Sequence, residues 1–472
     1  MPIDQNIKLG MRLINSIHFI GIGGSGMCGI AEVLSNQGYR ISGSDECESS
    51  NTQRLRDLGL KIFIGHNENN LKDADVVVIS SAINKDNSEV LAAKEAQLPI
   101  VPRAEMLAEL MRFNFGIAVA GTHGKTTTTS LLASIFADAD LDPTYVIGGL
   151  LNSANTNAKL GNSRYFIAEA DESDASFLHL QPMVSVVTNI DSDHISAYQN
   201  QFENLRNAFV EFVHNLPFYG LAVVCVDDEC IRESIPDFHR PVISYGFNDI
   251  SDFKLTDYRN DGLQAEFYIN AKKFKDPVKI KLNTPGIHNA LNATAAFIVA
   301  DYEGIPLNKI LKSLGDFKGV ARRFDIKGEI YLKKGPVTLI DDYGHHPTEI
   351  EATVRAARAS WPEKKIVMIY QPHRYSRTKL LYKDFVRVLS SVDSLVLLDI
   401  YSAGEDEIEG INSAALAKSI SQFGVINPLH VSDIENIPDL LVNILEKDNL
   451  LITQGAGDIS KLSRKIQEHD FL

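Results

Sequence analysis

A short apolar segment of this chain runs through a glycine-rich turn into Lys125. Residues 117–120 are apolar and predict a buried strand, and the sequence from Lys125 onward predicts a helix. A strand, a tight turn and a lysine at a helix start form a cradle for polyphosphate, because backbone N–H groups face the anion there. The sequence therefore predicts a nucleotide phosphate site, with Lys125 reaching the β- and γ-phosphates and the next hydroxyl binding Mg²⁺.

The match to the general phosphate-loop pattern is incomplete. The pattern G-x-x-x-x-G-K-[ST] requires a glycine at the position of Val119. The close spacing of Gly121 and Gly124 compensates in part, since the turn still holds two residues that adopt positive φ without strain. An ordinary glycine-rich turn is the alternative interpretation.

Length, charge and cysteine content exclude several classes of protein. At 472 residues the chain is too long for one core, and it predicts about three domains. A net charge of −15 without a basic block argues against nucleic acid or an anionic membrane as the main partner. The four cysteines form no C-x-x-C pair and predict reduced thiols. No signal peptide or membrane-spanning run is recognisable, so we expect a soluble, cytoplasmic protein.

A second glycine motif lies near the start of the chain. Residues 17–20 predict a strand, and residues 21–26 (G-I-G-G-S-G) follow it and lead into a helix. Asp45 ends the next predicted strand about twenty positions later, an arrangement typical of dinucleotide-binding domains. Taken alone, this motif is about as compatible with an NAD enzyme as with another nucleotide ligand.

The strand and helix signals divide the chain into three α/β domains in series, which we predict at residues 1–112, 113–322 and 323–472. We expect a Rossmann-like first domain, a central domain of the P-loop ATPase type, and a Rossmann-like third domain. Residues 253–282 alternate charged residues with β-formers and predict antiparallel hairpins at a sheet edge. In the third domain, residues 347–360 predict a helix.

Polar clusters follow several predicted strands at their carboxyl ends. The segment E-A-D-E-S-D begins at Glu169 and lies where Mg²⁺ would sit beside a phosphate loop, unless it is only a solvated acidic turn. His194 follows two acidic residues and predicts either a metal ligand or a surface turn. In the third domain, D-D-Y-G-H-H-P from Asp341 and Q-P-H-R-Y-S-R from Gln371 follow adjacent strands. They predict either a ligand crevice with two arginines for a carboxylate or helix-capping turns.

The two nucleotide motifs are explained together by an enzyme that consumes ATP and binds a nucleotide-linked substrate. An NAD(P)-dependent dehydrogenase would explain the first motif but would leave Lys125 and Arg323 without a role. A binding module or nucleotide switch would explain the phosphate loop, but not the strand-end residues of the third domain.

Nine strings spread over all three domains together resemble the Mur ligases: GIGGSGM, SSAI, RAEMLAELM, GTHGKTTT, EADESDASF, GIHNALNA, DDYGHHPTE, QPHRYSRT and GAGDI. The resemblance implies ATP-dependent ligation of L-alanine to UDP-N-acetylmuramate through an acyl phosphate. It thereby implies a role in peptidoglycan precursor synthesis, cell wall biogenesis, cell shape, cell division and the cell cycle. ATP and two Mg²⁺ ions are the implied cofactors, and a monomer or a homodimer is compatible with the sequence. GIGGSGM and the Tyr343-Gly344 pair favour this branch over a recycling ligase that joins the same nucleotide sugar to a tripeptide.

The resemblance also implies roles for individual residues. The expected ATP contacts are Gly121, Thr122, His123, Gly124, Lys125, Thr126, Thr127, His288, Asn289, Asn292, Arg323 and Asp342. The expected contacts of the UDP moiety are Gly23, Gly24, Ser25, Gly26, Asp45, His66 and Ser81. The expected contacts of the amino acid and the muramoyl end are Tyr343, His345, Arg374 and Arg377. The expected Mg²⁺ ligands are Thr126, Glu169 and His194, and the expected catalytic groups are Lys125, Glu169, His194 and Arg323.

Overall fold

The alternation of strands and helices expected from the sequence is present in a computed structural model of the chain. The structure describes residue 11 and residues 13–80, 82–154, 156–193, 195–469 and 471. The chain packs as two compact units, of which the first comprises Met1–Tyr245 and Ala295–Ile310 and the second Gly246–Thr294 and Leu311–Leu472. These units are defined by which residues pack together and not by domains in series along the chain. The predicted domain boundaries at residues 112 and 322 therefore stay predictions.

The first sheet belongs to the first unit and is parallel throughout. Its strands are β1 (Ser16–Ile20), β2 (Arg40–Asp45), β3 (Lys61–Ile64), β4 (Val76–Ile79) and β5 (Ile100–Pro102). Its helices are α1 (Ser25–Asn36), α2 (Ser50–Asp57), α3 (Ser88–Glu95) and α4 (Arg103–Met111), with a 3-10 turn at Glu68–Leu71. The strand order is β3-β2-β1-β4-β5, so the direction of winding reverses between β1 and β4. Ligands of such sheets bind at the carboxyl ends of the strands near this reversal.

The second sheet carries the phosphate loop. Its strands in the first unit are β6 (Phe115–Ala120), β7 (Thr144–Leu151), β8 (Thr156–Lys159), β9 (Tyr165–Glu169), β10 (Val184–Val187), β11 (Leu221–Cys225) and β12 (Val242–Gly246). Its helices are α5 (Lys125–Asp138), α6 (Phe202–His214) and α7 (Glu229–Phe238), with 3-10 turns at Ser176–His179 and Ile195–Tyr198. The order is β12-β11-β10-β6-β9-β7-β8, with β8 antiparallel to β7. This places β9 and β10 on either side of β6, so residues after all three strands meet at one edge.

One hydrophobic core joins the two sheets of the first unit. Phe19 of β1, Ala118 of β6 and Phe166 of β9 are each at most 1 % exposed and lie in the same cluster. The helix α5 that follows the phosphate loop is buried along most of its length, so the loop rests on a fixed support.

The second unit begins with an antiparallel meander, as the sequence predicted for residues 253–282. Its strands are β13 (Phe253–Asp261), β14 (Gln264–Ala271) and β15 (Val278–Leu282). Helices α8 (Ile287–Tyr302) and α9 (Leu307–Asp316) follow, and each has residues in both units.

The third sheet lies wholly in the second unit. Its strands are β16 (Asp325–Leu332), β17 (Gly335–Asp342), β18 (Ile366–Tyr370), β19 (Ser394–Leu398), β20 (Leu429–Val431) and β21 (Leu450–Gln454). Its helices are α10 (Pro347–Ser360), α11 (Tyr375–Leu380), α12 (Tyr382–Leu389), α13 (Ser413–Phe423), α14 (Ile437–Ile444) and α15 (Ile459–Glu468), with a 3-10 turn at Ile434–Asn436. The order is β16-β17-β21-β18-β19-β20, and β16 is antiparallel to β17.

The predicted fold class is therefore confirmed as α/β with three sheet-containing domains. Separate apolar clusters, one containing Ile340 and Ile350 and the other Val337 and Ile459, form the core around the third sheet. Among the described residues, no helix combines the length and the apolar character needed to cross a membrane.

Candidate functional site

The loop between β6 and α5 has the backbone shape of a phosphate cradle. Gly121 has φ 133° and Gly124 has φ 86°, conformations that L side chains rarely adopt. A Cβ atom at Gly121 would lie 2.0 Å from Oγ1 of Thr188, so the loop has no room for a side chain there. Gly124 is the N-cap of α5, and the N–H groups of the first helical turn therefore border the loop.

Side chains that follow β10 hold this loop in place. The amide N–H of His123 donates to Oδ1 of Asn189 at 2.8 Å, and Nδ2 of Asn189 donates to the His123 carbonyl at 3.0 Å. Oγ1 of Thr188 donates to the same carbonyl at 2.6 Å. The Asp191 N–H donates to Oγ1 of Thr122 at 2.8 Å, and the Asp191 carboxylate lies 3.2 Å from Nε2 of His123. The segment after β10 therefore supports the loop on one side.

Lys125 folds back over the loop that precedes it. Its Nζ donates to the carbonyls of Gly121 and Thr122 at 2.5 and 3.0 Å and lies 2.7 Å from an oxygen of Glu172. Burial alone would lower the pKa of Lys125, but the charges of Glu172 and Asp171 raise it above its usual value. Burial raises the pKa of Glu172 to about 7, although Lys125 opposes that rise. The ammonium is thus kept charged at the loop.

Two further carboxylates lie near this lysine. Glu169 is the last residue of β9, accepts the Gly148 N–H at 2.7 Å, and contributes to the raised pKa of Lys125. Asp171 accepts a hydrogen bond from Nη2 of Arg103 at 3.0 Å. Burial opposes a low pKa at Asp171, but Arg103 and Lys125 lower it. Glu169 and Asp171 are therefore hydrogen-bonded at the strand end, and their role as metal ligands stays a prediction.

The donor set at this edge fits a hard divalent cation. Thr126, 7 % exposed, follows Lys125 in the first turn of α5, and carboxylate and hydroxyl oxygens are the ligands that Mg²⁺ prefers. His194, the third expected ligand, lies outside the described residues.

The glycine loop of the first sheet is anchored by the acidic residue that ends β2. Asp45 Oδ2 accepts the N–H of Gly23 at 2.8 Å, and Nδ2 of Asn51 donates to the Gly23 carbonyl at 2.8 Å. Gly24 is the N-cap of α1. A Cβ atom at Gly26 would lie 2.6 Å from Nη1 of Arg103, the residue that also binds Asp171.

Of the remaining residues expected to contact UDP, the structure describes the side chain of His66 only. His66 follows β3, and its Nδ1 lies 2.9 Å from Oγ of Ser44. Ser25 is the first residue of α1, but its side chain lies outside the described part of the chain, as does all of Ser81.

In the second unit, the ring of Tyr343 is close to two arginines. The guanidinium carbons of Arg322 and Arg323 lie 5.1 and 4.9 Å from the centre of its ring, within cation–π range. Nη1 of Arg323 is 3.7 Å from a carboxylate oxygen of Glu349, and the His345 ring contacts Tyr343 edge-on at 5.4 Å. The structure thus brings together three residues expected at the site, Arg323, Tyr343 and His345.

Asp342 is buried and holds the backbone around this group. Its Oδ1 accepts hydrogen bonds from the N–H of Gly344 at 2.8 Å and from Nε2 of Gln454 at 2.7 Å. Its Oδ2 accepts the N–H of Phe324 at 2.7 Å. The residue expected to contact a ribose therefore has a structural role as well.

Arg374 and Arg377 have different surroundings. Arg377 is 6 % exposed, and its Nη1 lies 3.1 Å from Nδ1 of His373. Arg374 precedes α11 with φ 71°, and its half-exposed side chain lies 4.0 Å from Glu405. The expectation that these two arginines bind a carboxylate stays a prediction.

The residues expected to contact adenine open helix α8. Asn289 and Asn292 are 6 % and 5 % exposed, and Nδ2 of Asn289 donates to the Pro285 carbonyl at 2.7 Å. Burial lowers the pKa of His288, while Asp342 and Glu349 oppose that effect, so the ring is kept neutral.

Three family models match the chain in succession. Residues 16–115 match the Mur ligase family catalytic domain, residues 119–300 the Mur ligase middle domain, and residues 322–457 the Mur ligase glutamate ligase domain. The chain belongs to the Mur ligase family. Mur ligases are ATP-dependent enzymes that form amide bonds, and the dehydrogenase alternative is therefore excluded.

Solved structures of other Mur ligases resemble the whole chain. The UDP-N-acetylmuramate-alanine ligase MurC from Thermotoga maritima is 29 % identical, with a TM-score of 0.83 over 96 % of this chain and 98 % of that one. A murein peptide ligase from Psychrobacter arcticus is 22 % identical, with a TM-score of 0.72 over 96 % and 98 %. The UDP-N-acetylmuramate:L-alanyl-gamma-D-glutamyl-meso-diaminopimelate ligase from Neisseria meningitides is 27 % identical, with a TM-score of 0.60 over 66 % and 100 %.

The sequence analysis did not assign a role to several residues that shape the candidate sites of this chain. Asn189 and Asp191 support the phosphate loop. Arg103 binds Asp171 and occupies the space beside Gly26 that a side chain there would need. Asn189 carried a usable signal, since it lies just after a strand that neighbours the loop strand. Arg103 carried none, because its partner lies 68 positions away in the sequence.

Proposed function

We propose that this Mur ligase joins L-alanine to UDP-N-acetylmuramate at the expense of ATP. The observation that carries the proposal is the similarity to the Thermotoga maritima alanine ligase, which extends over nearly the full length of both chains. A charged Lys125 at the phosphate loop supports the proposal, because the reaction brings two anions together.

In the proposed reaction, the lactyl carboxylate of the nucleotide sugar attacks the γ-phosphorus and ADP leaves. The amine of L-alanine then attacks the acyl carbon, loses a proton, and inorganic phosphate leaves as the amide forms. Phosphorylation is required because a carboxylate is a poor electrophile and has no leaving group. Lys125 and the loop N–H groups would offset the repulsion between the two anions that meet in the first step.

The remaining roles follow the family resemblance. Thr126 and Glu169 would hold Mg²⁺, which supplies positive charge to the phosphates when bound, and His194 is the proposed further ligand. Arg323 is proposed to contact the γ-phosphate, while His288, Asn289, Asn292 and Asp342 are proposed to bind the adenosine. Gly23, Gly24, Ser25, Gly26, Asp45, His66 and Ser81 are proposed to bind the UDP moiety, and Tyr343, His345, Arg374 and Arg377 the amino acid and muramoyl end.

A recycling activity is the second candidate. It is favoured by the 27 % identity to the Neisseria meningitides ligase, which covers all of that chain. The two activities differ only in the amine that accepts the acyl group, so one assay separates them.

The test measures phosphate release from Mg·ATP and UDP-N-acetylmuramate, with L-alanine or with the tripeptide L-alanyl-γ-D-glutamyl-meso-diaminopimelate. We expect release with L-alanine, its loss in Lys125→Ala, and its retention in Lys309→Ala, since Lys309 forms a surface ion pair with Asp140. Phosphate release with the tripeptide alone would show that the enzyme has the recycling activity. No phosphate release with either amine would refute both candidates.

A further inference from the structure

A buried carboxylate outside the assigned residues organises the edge of the first sheet. Glu89 lies in α3, and its side chain is 0 % exposed. Its Oε2 accepts the hydroxyl hydrogen of Ser44 at 2.5 Å and lies 3.4 Å from Nδ1 of His66. Its Oε1 accepts hydrogen bonds from the N–H of Asn67 at 3.1 Å and from Nδ2 of Asn70 at 2.6 Å. The carboxylate therefore contacts β2 and the segment after β3 at once.

These contacts determine which nitrogen of His66 carries a proton. Ser44 donates its single hydroxyl hydrogen to Glu89, so its oxygen can only accept from Nδ1 of His66, 2.9 Å away. The Glu89 carboxylate, 3.4 Å from the same nitrogen, also favours a proton there. In the neutral ring, Nε2 is then left as a hydrogen-bond acceptor.

His66 lies at the edge of the sheet where the strands have their carboxyl ends, the edge at which such sheets bind ligands. His66 follows the carboxyl end of β3, where Gly65 donates its N–H to the Asp45 carbonyl at 2.8 Å. Asp45 in turn anchors the glycine loop through Gly23. In the part of the chain that the structure describes, Nε2 of His66 has no hydrogen-bond partner, and the side chain is 13 % exposed.

Glu89 is suited to act as a constant acceptor. Burial alone would raise its pKa, but hydrogen bonds from His18, Ser44 and Asn70 lower the pKa to about 2. The group is therefore ionised throughout the pH range in which enzymes of this kind work, and it does not alternate between donor and acceptor.

We propose that Glu89 is a positioning residue that acts through Ser44 to keep His66 Nε2 an acceptor, so that the site selects a nucleobase with a ring N–H. Uracil has such a group at N3, whereas cytosine has an unprotonated nitrogen there that would face the lone pair of Nε2. The inference rests on the proposed function, because that function assigns a UDP-linked substrate to this domain. Sites built to pair with a donor discriminate strongly against analogues that lack it.

The first test determines the tautomer directly. Nitrogen NMR of the full chain labelled with ¹⁵N-histidine, with the His66 signal identified by His66→Gln, should show Nδ1 protonated and Nε2 bare. Glu89→Gln can donate as well as accept, so we expect a mixture of tautomers in that variant. Glu95→Gln, an exposed position on the same helix, should leave the signal unchanged. A wild-type His66 protonated at Nε2 would overturn the inference.

The second test measures base selection. Calorimetric titration of the full chain with UDP and with CDP should show about tenfold tighter binding of UDP, the effect of one well-formed hydrogen bond. Glu89→Gln should reduce that ratio several-fold, chiefly by weakening UDP, while Glu95→Gln should retain it. If Glu89→Gln does not fold, Ser44→Ala provides the same comparison.

Equal affinities of the wild type for UDP and CDP, or no binding of either, would overturn the inference. The same holds if Glu89→Gln leaves the ratio unchanged. The proposed function fails differently, since its loss appears as absence of phosphate release with UDP-N-acetylmuramate and L-alanine. An enzyme that releases phosphate but does not discriminate between bases would refute only the role of Glu89.

Discussion

The ammonium of Lys125 lies 2.7 Å from a carboxylate oxygen of Glu172, and the two side chains are only 17 % and 3 % exposed. Neither charge is well solvated, so each depends on the other and on the loop carbonyls that Lys125 also binds. The pair fixes the lysine beside the loop that is proposed to hold phosphates. Loss of either partner should therefore affect both the loop and the stability of the strands around it.

A double-mutant cycle should measure this dependence. Glu172→Gln leaves the buried Lys125 ammonium without its nearest carboxylate, and Lys125→Met leaves a buried Glu172 carboxyl whose pKa rises further. We therefore expect the double variant to be more stable than the sum of the single effects by about 2 kcal/mol. Native-state hydrogen exchange of amides in β6 and β9 provides the local free energies of opening. The surface pair Lys309–Asp140 is the control and should show no measurable coupling, because solvent screens it. Additive effects at Lys125 and Glu172 would contradict the interpretation.

The substitution Gly121→Ala should abolish activity through loop geometry. The new Cβ would lie 2.0 Å from Oγ1 of Thr188 and would need φ 133°, so the loop must shift away from the residues that support it. We expect phosphate release to fall at least a hundredfold, on the basis that small misplacements at a reacting site cost about that much.

A matched control separates the clash from the unusual backbone angle. Gly262 has φ +58° but has open space around the position of a Cβ atom, so Gly262→Ala tests the angle alone. That variant should lose about 1 kcal/mol of stability and keep its activity. Near-normal phosphate release in Gly121→Ala would mean that the loop shape is not required.

Local patterns predicted the framework of the molecule well. The glycine loop after β1, the phosphate loop before α5 and the helix at residues 347–360 all follow from strand, turn and capping signals within a few positions. Helix α10 begins where Pro347 fixes φ and where His346 caps the first turn, and such signals are readable from the sequence. Strands β7, β8 and β16 were not predicted, and β8 and β16 run antiparallel to the neighbouring strands β7 and β17.

Pairings between distant residues could not be predicted in the same way. Glu89 contacts Ser44 across 45 positions and Lys125 contacts Glu172 across 47, and only the folded sheet brings them together. Single acidic residues in helices are usually solvated, so Glu89 carried no signal for its role. Glu172 was noticed only as part of the acidic segment after β9, and nothing local identified it as the partner of Lys125. Local motifs therefore identified the expected site residues, whereas the residues that orient them could be identified only in the folded structure.

The stability of the first sheet should depend on pH through Glu89. Because its pKa is lowered from 4.5 to about 2, Glu89 contributes stability that is present above pH 4.5 and is lost as the pH falls toward 2. The contribution corresponds to about 3 kcal/mol. We expect the apparent thermal midpoint of Glu89→Gln to lie below that of the wild type at pH 7, with the difference shrinking between pH 4.5 and 2.5. A difference that does not vary with pH would show that the charge of Glu89 is unimportant for folding.

Asp342 allows a structural role to be separated from ligand binding. Its two carboxylate oxygens accept hydrogen bonds from the backbone N–H groups of Gly344 and Phe324 and from the side chain of Gln454. In Asp342→Asn, an NH2 group replaces one carboxylate oxygen. This NH2 group faces a hydrogen-bond donor, so at least one of the buried donors that Asp342 binds loses its acceptor. We expect a loss of about 2 kcal/mol, measured as a lower thermal midpoint in the absence of nucleotide.

The control for this prediction is Asp384→Asn, because Asp384 is an exposed residue of α12 and should leave the midpoint unchanged. ATP affinity, measured by calorimetry, then distinguishes the possible roles of Asp342. A lower midpoint together with weaker ATP binding is expected if Asp342 both holds the Tyr343 turn and contacts the ribose. An unchanged midpoint with weaker ATP binding would contradict the structural role, because the three hydrogen bonds would then contribute nothing to folding.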